Sequence, residues 1–224
     1  MTRRAILWDM DGTLIDSEPV HEMAFDAAVH ELGLVIPDGF HEELIGADGE
    51  QVFQALVERT GISMRFDAWL ALKWKHFCNY ADRIERREPV SRVAEKLAAQ
   101  DTPMAVVSNS TLEEVTLGLT KTGLAPIIDV VITRADVKEG KPAPEGYLLA
   151  ASRLDCRPEN CLVIEDSLLG SKAGVAAGMS VLFHPQSPLT DMALLPEGAC
   201  YLSPDVDPMK TVSRFLKSGN LEEA

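Results

Sequence analysis

Acidic residues follow two apolar segments of this sequence at the points where buried strands would end. Asp9 and Asp11 come after the apolar run 5–8, and Glu165 and Asp166 follow a later apolar run. The carboxyl ends of parallel strands lie at the sheet edge where ligands bind, so the sequence predicts that these four residues line a site there. Acids packed so closely resist ionising together unless a cation or a shared proton intervenes. They favour a hard cation, and Mg²⁺, which takes one or two carboxylates and retains waters, suits them better than zinc.

Each acidic pair alone also has a structural interpretation. Asp11 with Gly12 makes a common turn at the end of a strand, and Asp166 beside Ser167 would equally cap a helix. The two pairs together favour the functional interpretation, because carboxylates at neighbouring strand ends would converge on one ion.

A segment in the middle of the chain offers groups that could bind phosphate. Ser108 and Asn109 follow the apolar run 104–107, and Ser110 with Glu113 fits the S-x-x-E capping box. We therefore expect a helix to begin here, with free amides that receive phosphate oxygens together with the Ser108 hydroxyl. An ordinary helix cap without a ligand fits the same residues.

Lys141 is the candidate cation for an anionic substrate. It follows Gly140 and precedes Pro142, in a rigid proline-containing segment that fixes its backbone before a helix near Glu145. It is not the lysine of a Walker-type phosphate loop, because Pro142 stands where Ser or Thr is required.

The elements that must position these residues alternate along much of the chain. Short apolar runs bounded by polar turns predict strands buried on both faces, and amphipathic helical patterns separate most of them. These runs are residues 5–8, 104–107, 130–132, 162–164 and 181–183. Such alternation predicts an α/β fold with a Rossmann-like three-layer core, in which right-handed crossovers connect the strands of a parallel sheet.

One predicted helix has glycines at a regular spacing. Gly170, Gly174 and Gly178 recur every four residues. We interpret them as a face that packs closely on the sheet, and a dimerisation motif is the alternative.

The interval 17–88 breaks the alternation, since no strand-like run separates its helical patterns. We predict an all-helical domain inserted after the first strand, with residues 1–16 and 89–224 forming the α/β core. The alternative is that these helices simply pack on the sheet. The mixed-charge stretch 82–88 is interpreted as a solvated helix end or linker without a functional role.

Composition limits the partners and the compartment. The chain has 224 residues and carries 21 Lys and Arg against 35 Asp and Glu, a net charge of −14. Such a chain repels nucleic acid and anionic membranes, so we expect neither as a partner, and local positive groups must bind any anionic substrate. The four cysteines form no C-x-x-C pair, which favours reduced thiols. Because Asp9 interrupts the amino-terminal apolar run, we predict no secretory signal and expect a cytoplasmic protein. We also expect the protein to be a monomer.

Four motifs occur in order along the chain. They are Asp9-Met10-Asp11-Gly12-Thr13-Leu14, Ser108, Lys141-Pro142-Ala143-Pro144, and Glu165-Asp166-Ser167 with the three glycines. Over nearly its whole length the chain thereby resembles the haloacid dehalogenase-like hydrolases. The resemblance is strongest to the branch with a small helical cap, which includes phosphoglycolate phosphatase-like enzymes, sugar phosphatases and β-phosphoglucomutases. It implies a magnesium-dependent phosphatase that works through an aspartyl-phosphate.

The resemblance also implies a role for each candidate residue. Asp9 would be the nucleophile and a metal ligand. Asp11 would be the general acid and base, with its backbone carbonyl on the metal. Asp166 would be a metal ligand, and Glu165 a ligand or a partner behind the ligands. The phosphoryl group would be bound by Ser108, Asn109 and Lys141.

The helical cap would choose the substrate. Its candidate substrate-binding residues are Glu18, His21 and Gly46, although His21 fits a surface position equally well. No arginine follows Gly46 at the place where the mutases bind a distal phosphate, and Lys73 or Lys75 is the alternative ligand there. The segment Glu88-Pro89-Val90 stands where many relatives have Pro-Gly-Val, without an expected catalytic consequence. We therefore predict hydrolysis of a small phosphorylated metabolite, a sugar or polyol phosphate. The alternatives are a β-phosphoglucomutase-like mutase and a catalytically silent metabolite- or partner-binding protein on the same fold.

Overall fold

The computed structural model describes residues 3–44 and 49–221 of the chain. Gly46, one of the candidate substrate-binding residues, lies outside the described residues. The chain forms two compact units, one made of residues 1–16 and 85–224 and the other of residues 17–84. We call them the core unit and the helical unit and describe each by itself.

The described strands and helices follow one another in the order that the apolar patterns predict, with some additions. The strands are β1 (Ala5–Trp8), β2 (Ile15–Asp16), β3 (Glu85–Arg86), β4 (Met104–Val107), β5 (Val130–Ile132), β6 (Cys161–Glu165), β7 (Ser180–Phe183) and β8 (Ala199–Tyr201). The helices are α1 (Glu18–Glu31), α2 (Phe40–Glu43), α3 (Gly49–Thr60), α4 (Phe66–Tyr80), α5 (Val90–Ala98), α6 (Leu112–Lys121), α7 (Glu145–Arg153), α8 (Leu168–Ala176) and α9 (Met209–Ser218).

The core unit contains a parallel sheet with the strand order β5-β4-β1-β6-β7-β8. The predicted α/β fold is therefore confirmed. Strand β1 lies between β4 and β6, so the chain moves outward to one side of β1 and later to the other. This reversal creates a crevice at the carboxyl end of β1, which is where ligands bind in open parallel sheets.

The sheet is buried because its strands are apolar on both faces. Every residue of β1 and β4 is buried, and so is every residue of β6, including Glu165. Tyr147 of α7 and Ala173 of α8 join Leu7 and Val163 of the sheet in one buried cluster. The short edge strand β8, which is half-buried, was not predicted.

Helix α8 packs closely on the sheet, as its glycine spacing predicts. A Cβ on Gly174 would lie 2.8 Å from Cγ2 of Val181 in β7. Gly178 lies beyond the end of the helix and has a φ of +72°, so its small size serves the turn that follows. The close-packing interpretation is therefore confirmed for Gly174.

A short antiparallel ribbon forms where the chain leaves the core unit and returns to it. Ile15 pairs with Arg86 and Asp16 with Glu85, and the Arg87 amide donates to the Leu14 carbonyl at 3.0 Å. The interpretation of the stretch 82–88 as a helix end or linker is thus wrong for its centre. Because β3 pairs with β2 of the core unit, the helical unit ends at residue 84, four residues before the predicted boundary at residue 88.

The helical unit contains α1 to α4 and has its own apolar cluster. Phe25 and Ala28 of α1, Leu56 of α3 and Trp69 of α4 are buried together, and the rings of Phe25 and Trp69 meet edge to face at 5.1 Å. No strand occurs among the described residues of this unit. That it acts as a cap over a substrate stays a prediction.

Among residues 3–44 and 49–221, no helix combines the length and the apolar character that crossing a membrane would require.

Candidate active site

The first pair of acids follows the central strand and is turned by a glycine. The Asp9 amide donates to the Ile164 carbonyl at 3.0 Å, which continues the pairing of β1 with β6. Gly12 has a φ of +79°, a left-handed conformation in which a residue with a side chain would be strained. A Cβ on Gly12 would also lie 2.1 Å from Oδ2 of Asp166, so glycine gives the second acidic segment room to approach the first.

Three of the four predicted acids converge at this point of the sheet. Carboxylate oxygens of Asp9, Glu165 and Asp166 lie within 4.8 Å of one another. The Lys141 ammonium lies among them, 2.5 Å from Oδ1 of Asp9 and 2.6 Å from Oε1 of Glu165. The side chains of Lys141 and Glu165 are 7% and 0% exposed, so this ion pair is nearly dry. Because water screens these buried charges little, the charged form of each group is stable only while its oppositely charged partners are present.

Glu165 is surrounded by donors. The Tyr147 hydroxyl donates to Oε1 at 2.9 Å, and the amide and hydroxyl of Ser167 donate to Oε2 at 3.0 and 2.9 Å. Ser167 also caps α8, since its hydroxyl accepts the Gly170 amide at 3.0 Å. A Cβ on Gly170 would lie 1.5 Å from Oε1 of Glu165, so the helix can begin this close to the carboxylate only with glycine there.

Asp166 points back toward the first motif. Its Oδ1 accepts the Thr13 hydroxyl at 3.0 Å, and Thr13 is fully buried. The alternative interpretation of Asp166 as the helix cap is wrong, because Ser167 caps α8 instead. Asp166 is thereby free to face Asp9 and Glu165.

Burial and mutual repulsion shift the pKa values of the cluster. Burial raises the pKa of Asp9 well above its ordinary value, and Glu165 raises it further while Lys141 opposes the shift. Burial, followed by the charge of Glu165, raises the pKa of Asp166 to about 7. Burial alone would lower the pKa of Lys141, but Asp9 and Glu165 raise it well above its usual range. The lysine therefore stays charged, whereas Asp9 and Asp166 bind protons more readily than usual, a demand for positive charge that a bound cation would also meet.

Asp11 has a different environment. Its Oδ2 accepts the Ser110 hydroxyl at 3.0 Å and has a longer contact of 3.4 Å with the Ser108 hydroxyl. Ser108 is 5% exposed and follows β4, so it faces the carboxyl end of β1 from the neighbouring strand. The structure thus separates the side chain of Asp11 from the three-carboxylate cluster and aims it at the loop after β4.

The helix after β4 begins one residue later than predicted. Thr111 is the N-cap of α6 and forms a capping box with Glu114, so the expected pair of Ser110 and Glu113 is wrong. The segment Thr111-Leu112-Glu113-Glu114 matches the same S/T-x-x-E pattern, and the sequence alone did not distinguish the two registers.

The side-chain amide of Asn109 binds the backbone of Lys141. The Lys141 amide donates to Oδ1 of Asn109 at 2.9 Å, and Nδ2 of Asn109 donates to the Lys141 carbonyl at 3.3 Å. These contacts connect the loop after β4 with the loop that contains Lys141. Asn109 therefore positions the lysine, a function that the sequence analysis did not foresee.

The cluster fits a hard divalent cation. Its donor set consists of carboxylate oxygens from three residues, without the cysteine or histidine that zinc prefers among the described residues of the group. Their mutual repulsion would be relieved by a divalent ion, and Mg²⁺ or Ca²⁺ accepts such oxygens. The predicted metal ligands Asp9, Glu165 and Asp166 are thus brought together, while the side chain of Asp11 is not part of the cluster.

The two described cap candidates belong to the helical unit. Glu18 is the exposed first residue of α1, and the ring of His21 contacts that of Phe77 at 4.6 Å. Their part in substrate binding stays a prediction.

Several residues that build the site had no predicted contact with its carboxylates. Tyr147 and Ser167 surround Glu165, Thr13 binds Asp166, and Ser110 binds Asp11. Thr13 and Ser167 belong to the quoted motifs and were visible there. Tyr147 was not, because a single tyrosine in an amphipathic helix gives no signal of a buried charged partner.

The fold and the cluster define a class of protein, namely α/β proteins with a charged site at the switch point of a parallel sheet. The family model of the haloacid dehalogenase-like hydrolases matches residues 6–184. The chain belongs to this family, as its motifs predict, and is an enzyme of the hydrolase type.

Known relatives are similar over most of their length. The chain is 30% identical over 178 residues to fructose-1-phosphate phosphatase YqaB of Escherichia coli K12, covering 79% of this chain and 94% of that protein. It is 30% identical over 190 residues to hexitol phosphatase A of the same organism, covering 81% of this chain and 83% of that protein. A solved HAD family hydrolase from Deinococcus radiodurans R1, with bound phosphate and sodium, has a TM-score of 0.70 and 27% identity and covers 95% of each chain.

Proposed function

We propose that this protein is a magnesium-dependent phosphatase that hydrolyses a small sugar or polyol phosphate through an aspartyl-phosphate on Asp9. One observation carries the proposal: the Lys141 ammonium lies between Asp9 and Glu165, in a cluster of three carboxylates at the carboxyl end of the central strand. A nucleophile, a fixed positive charge and oxygen ligands for a cation are therefore within reach of one bound phosphoryl group.

Asp9 is the nucleophile in this mechanism. Its carboxylate attacks phosphorus, the bond to the leaving oxygen breaks, and the phosphoryl group stays on Asp9 until water releases it. Lys141 supports the attack because its ammonium, already 2.5 Å from Oδ1 of Asp9, also neutralises charge on the transferring group.

Asp11 transfers the protons. As a general acid it protonates the leaving alkoxide, and as a general base it then accepts a proton from the water that attacks the aspartyl-phosphate. Its separation from the carboxylate cluster supports this role, since its side chain is turned toward the loop after β4. Its backbone carbonyl is the expected metal ligand.

Ser108 and Lys141 bind the phosphoryl oxygens, and Asn109 fixes the backbone of Lys141. The loop amides at the start of α6 add further donors. These local positive groups offset the repulsion between an anionic substrate and a chain of net charge −14.

Asp9 and Asp166, with the Asp11 carbonyl, would bind the Mg²⁺, and Glu165 would bind it or lie behind these ligands. When bound, the ion neutralises the carboxylates and stabilises the negative charge of the phosphoryl group.

The substrate class rests on the relatives. Two of them are named for phosphatase activity on fructose 1-phosphate and on hexitol phosphates, which supports a polyhydroxylated leaving group here. We assign its recognition to the helical unit, acting as a cap, with Glu18, His21 and Gly46 as the candidate residues.

The test measures released phosphate from a panel of sugar, polyol and nucleotide phosphates. Wild type should require Mg²⁺ and lose activity with a chelator. Asp9→Asn should lose more than about 10³-fold in turnover and keep its fold by circular dichroism, while the exposed control Asp205→Asn should behave as wild type. Normal turnover by Asp9→Asn would disprove the nucleophile, and faster hydrolysis of nucleotides would disprove the substrate class. An isomerised sugar phosphate without free phosphate would identify a mutase instead.

A further inference from the structure

The guanidinium of Arg87 is fixed in the core unit without being fully paired. Its backbone amide donates to the Leu14 carbonyl at 3.0 Å, and its Nη2 donates to the Pro185 carbonyl at 2.6 Å. Its Nη1 is buried, and no atom of residues 3–44 and 49–221 accepts a hydrogen bond from it. One nitrogen of the guanidinium therefore binds a neutral carbonyl, while another is buried without an acceptor in the described part of the chain.

Both contacts of Arg87 lie in segments that also hold the acidic cluster. The first contact lies next to Thr13, whose hydroxyl donates to Oδ1 of Asp166 at 3.0 Å. The second lies next to His184, whose amide donates to the Glu165 carbonyl at 2.7 Å. Arg87 is thereby connected to Asp166 through the first motif and to Glu165 through the segment after β7.

Among the acids that act on Arg87, Asp166 has the largest effect. Burial lowers the pKa of the guanidinium, and the charges of Asp166, Asp16 and Asp9 oppose this change in that order. An arginine side chain stays charged in proteins. The site therefore has a second fixed positive charge besides Lys141, and this charge acts chiefly on Asp166.

The arrangement is a poor one for stability. A buried N–H without an acceptor retains the cost of losing its water, and a buried charge is favourable only when it is well paired. An apolar side chain of similar length at residue 87 would avoid both costs. The charge of Arg87 near Asp166, and not its packing, is thus the feature that calls for a function.

We propose, on the basis of the proposed function, that Arg87 is a positioning residue that acts through Asp166 to strengthen the binding of the phosphoryl group. The substrate is an anion and meets a site that contains three carboxylates. Lys141 forms ion pairs with Asp9 and Glu165, and Arg87 offsets the remaining carboxylate, that of Asp166. With a divalent ion bound by the carboxylates, the site then attracts phosphate more strongly than the ion and Lys141 would alone.

The alternative is that Arg87 merely connects the ribbon of β2 and β3 to the segment after β7. Loss of that connection would lower the stability of the protein but would leave the phosphate affinity of the folded protein unchanged. Lysine would then be no better a replacement than glutamine. If the charge matters instead, phosphate affinity should fall with glutamine and be retained with lysine.

The experiment measures the Kd of inorganic phosphate by isothermal titration calorimetry at saturating Mg²⁺. Arg87→Gln removes the charge and keeps an N–H donor for the Pro185 carbonyl, whereas Arg87→Lys keeps the charge. We expect Kd to rise by about 3- to 30-fold in Arg87→Gln, as for the loss of one partly buried charge near an anion, and by less than about twofold in Arg87→Lys. If circular dichroism shows that Arg87→Gln is unfolded, Arg87→Met replaces it in the same comparison.

Arg4→Gln is the matched control. Arg4 also donates to backbone carbonyls, those of Leu216 at 2.9 Å and Lys217 at 3.2 Å, and its buried Nε has no acceptor among the described residues. It precedes β1 and so lies at the sheet edge opposite to the site. Its substitution removes the same charge from the chain and should leave the Kd of phosphate within about twofold of wild type.

Two results would overturn the role of Arg87. One is a Kd for Arg87→Gln equal to that for Arg4→Gln, and the other is a loss in Arg87→Lys as large as in Arg87→Gln. A wild type that neither binds inorganic phosphate nor releases it from the sugar and polyol phosphates would instead overturn the proposed function, and this role of Arg87 with it.

Discussion

Gly170→Ala should destabilise the core unit through one buried carboxylate. The new Cβ would lie 1.5 Å from Oε1 and 2.0 Å from Cδ of Glu165. Glu165 cannot turn aside without loss, because it is fully buried and accepts hydrogen bonds from Lys141, Tyr147 and Ser167. Either the helix moves away from the sheet or the carboxylate leaves some of its donors.

The size of the effect follows from these two costs. Overpacking a buried site costs about 1–3 kcal/mol. Each hydrogen bond that a buried charged group loses costs about 1.5–3 kcal/mol more. With one such bond broken, the free energy of unfolding should fall by about 2.5–6 kcal/mol, a large part of the stability of an ordinary domain. In a chain of this length the melting temperature would fall by about 5–24 °C.

Urea unfolding followed by circular dichroism measures this loss, and Gly174→Ala is the matched control on the same helix. Its Cβ would lie 2.8 Å from Cγ2 of Val181, so it overpacks an apolar contact and leaves Glu165 alone. It should cost only the overpacking, about 1–3 kcal/mol. If Gly170→Ala were within about 0.5 kcal/mol of wild type, the close approach of α8 to Glu165 would be wrong.

Two further substitutions test the charged interior and the surface. Tyr147→Phe removes a hydroxyl that donates to Oε1 of Glu165 at 2.9 Å, and both residues are fully buried. The substitution should therefore lower the free energy of unfolding by about 1.5–3 kcal/mol. An unchanged midpoint of urea unfolding would contradict this prediction. The backbone hydrogen bond from Thr133, with further bonds from its hydroxyl and from Arg153, lowers the pKa of Asp136. The stability that Asp136 contributes is present above its unfolded pKa of about 4 and is lost as the pH falls through its lower folded value. Asp136→Asn should therefore show a smaller drop in melting temperature than wild type between about pH 5 and pH 2, and equal drops would count against it.

The sheet and the acidic residues at its edge were predictable because their signals are local. Continuous apolar runs identify buried strands, and β1, β4 and β5 occur at the predicted residues. Acids placed directly after such strands must lie at the same edge of a parallel sheet, so the convergence of Asp9 with Asp166 followed from topology.

The parts that escaped prediction depend on distant partners or on choices between equivalent patterns. Strands β2 and β3 are two residues long and exist only because segments about 70 residues apart pair. The capping register at Ser110 and Thr111 was ambiguous, since both residues fit the same motif; in the structure Thr111 caps α6 and Ser110 binds Asp11. Tyr147 reaches Glu165 from another helix, which no spacing along the chain reveals.

The charges around the site explain how so acidic a chain could bind a phosphate ester. The ammonium of Lys141 forms ion pairs with Asp9 and Glu165. Burial and the charge of Glu165 raise the pKa of Asp166, and the guanidinium of Arg87, next to the ribbon, opposes this rise more than Lys141 does. Two cations thus face three carboxylates, and the raised pKa values of Asp9 and Asp166 mean that these groups bind protons more readily than usual when no ion is present. A divalent ion, if bound as we propose, would take the place of such protons and bring two positive charges to the site. We therefore expect metal binding to strengthen the binding of an anionic phosphate ester.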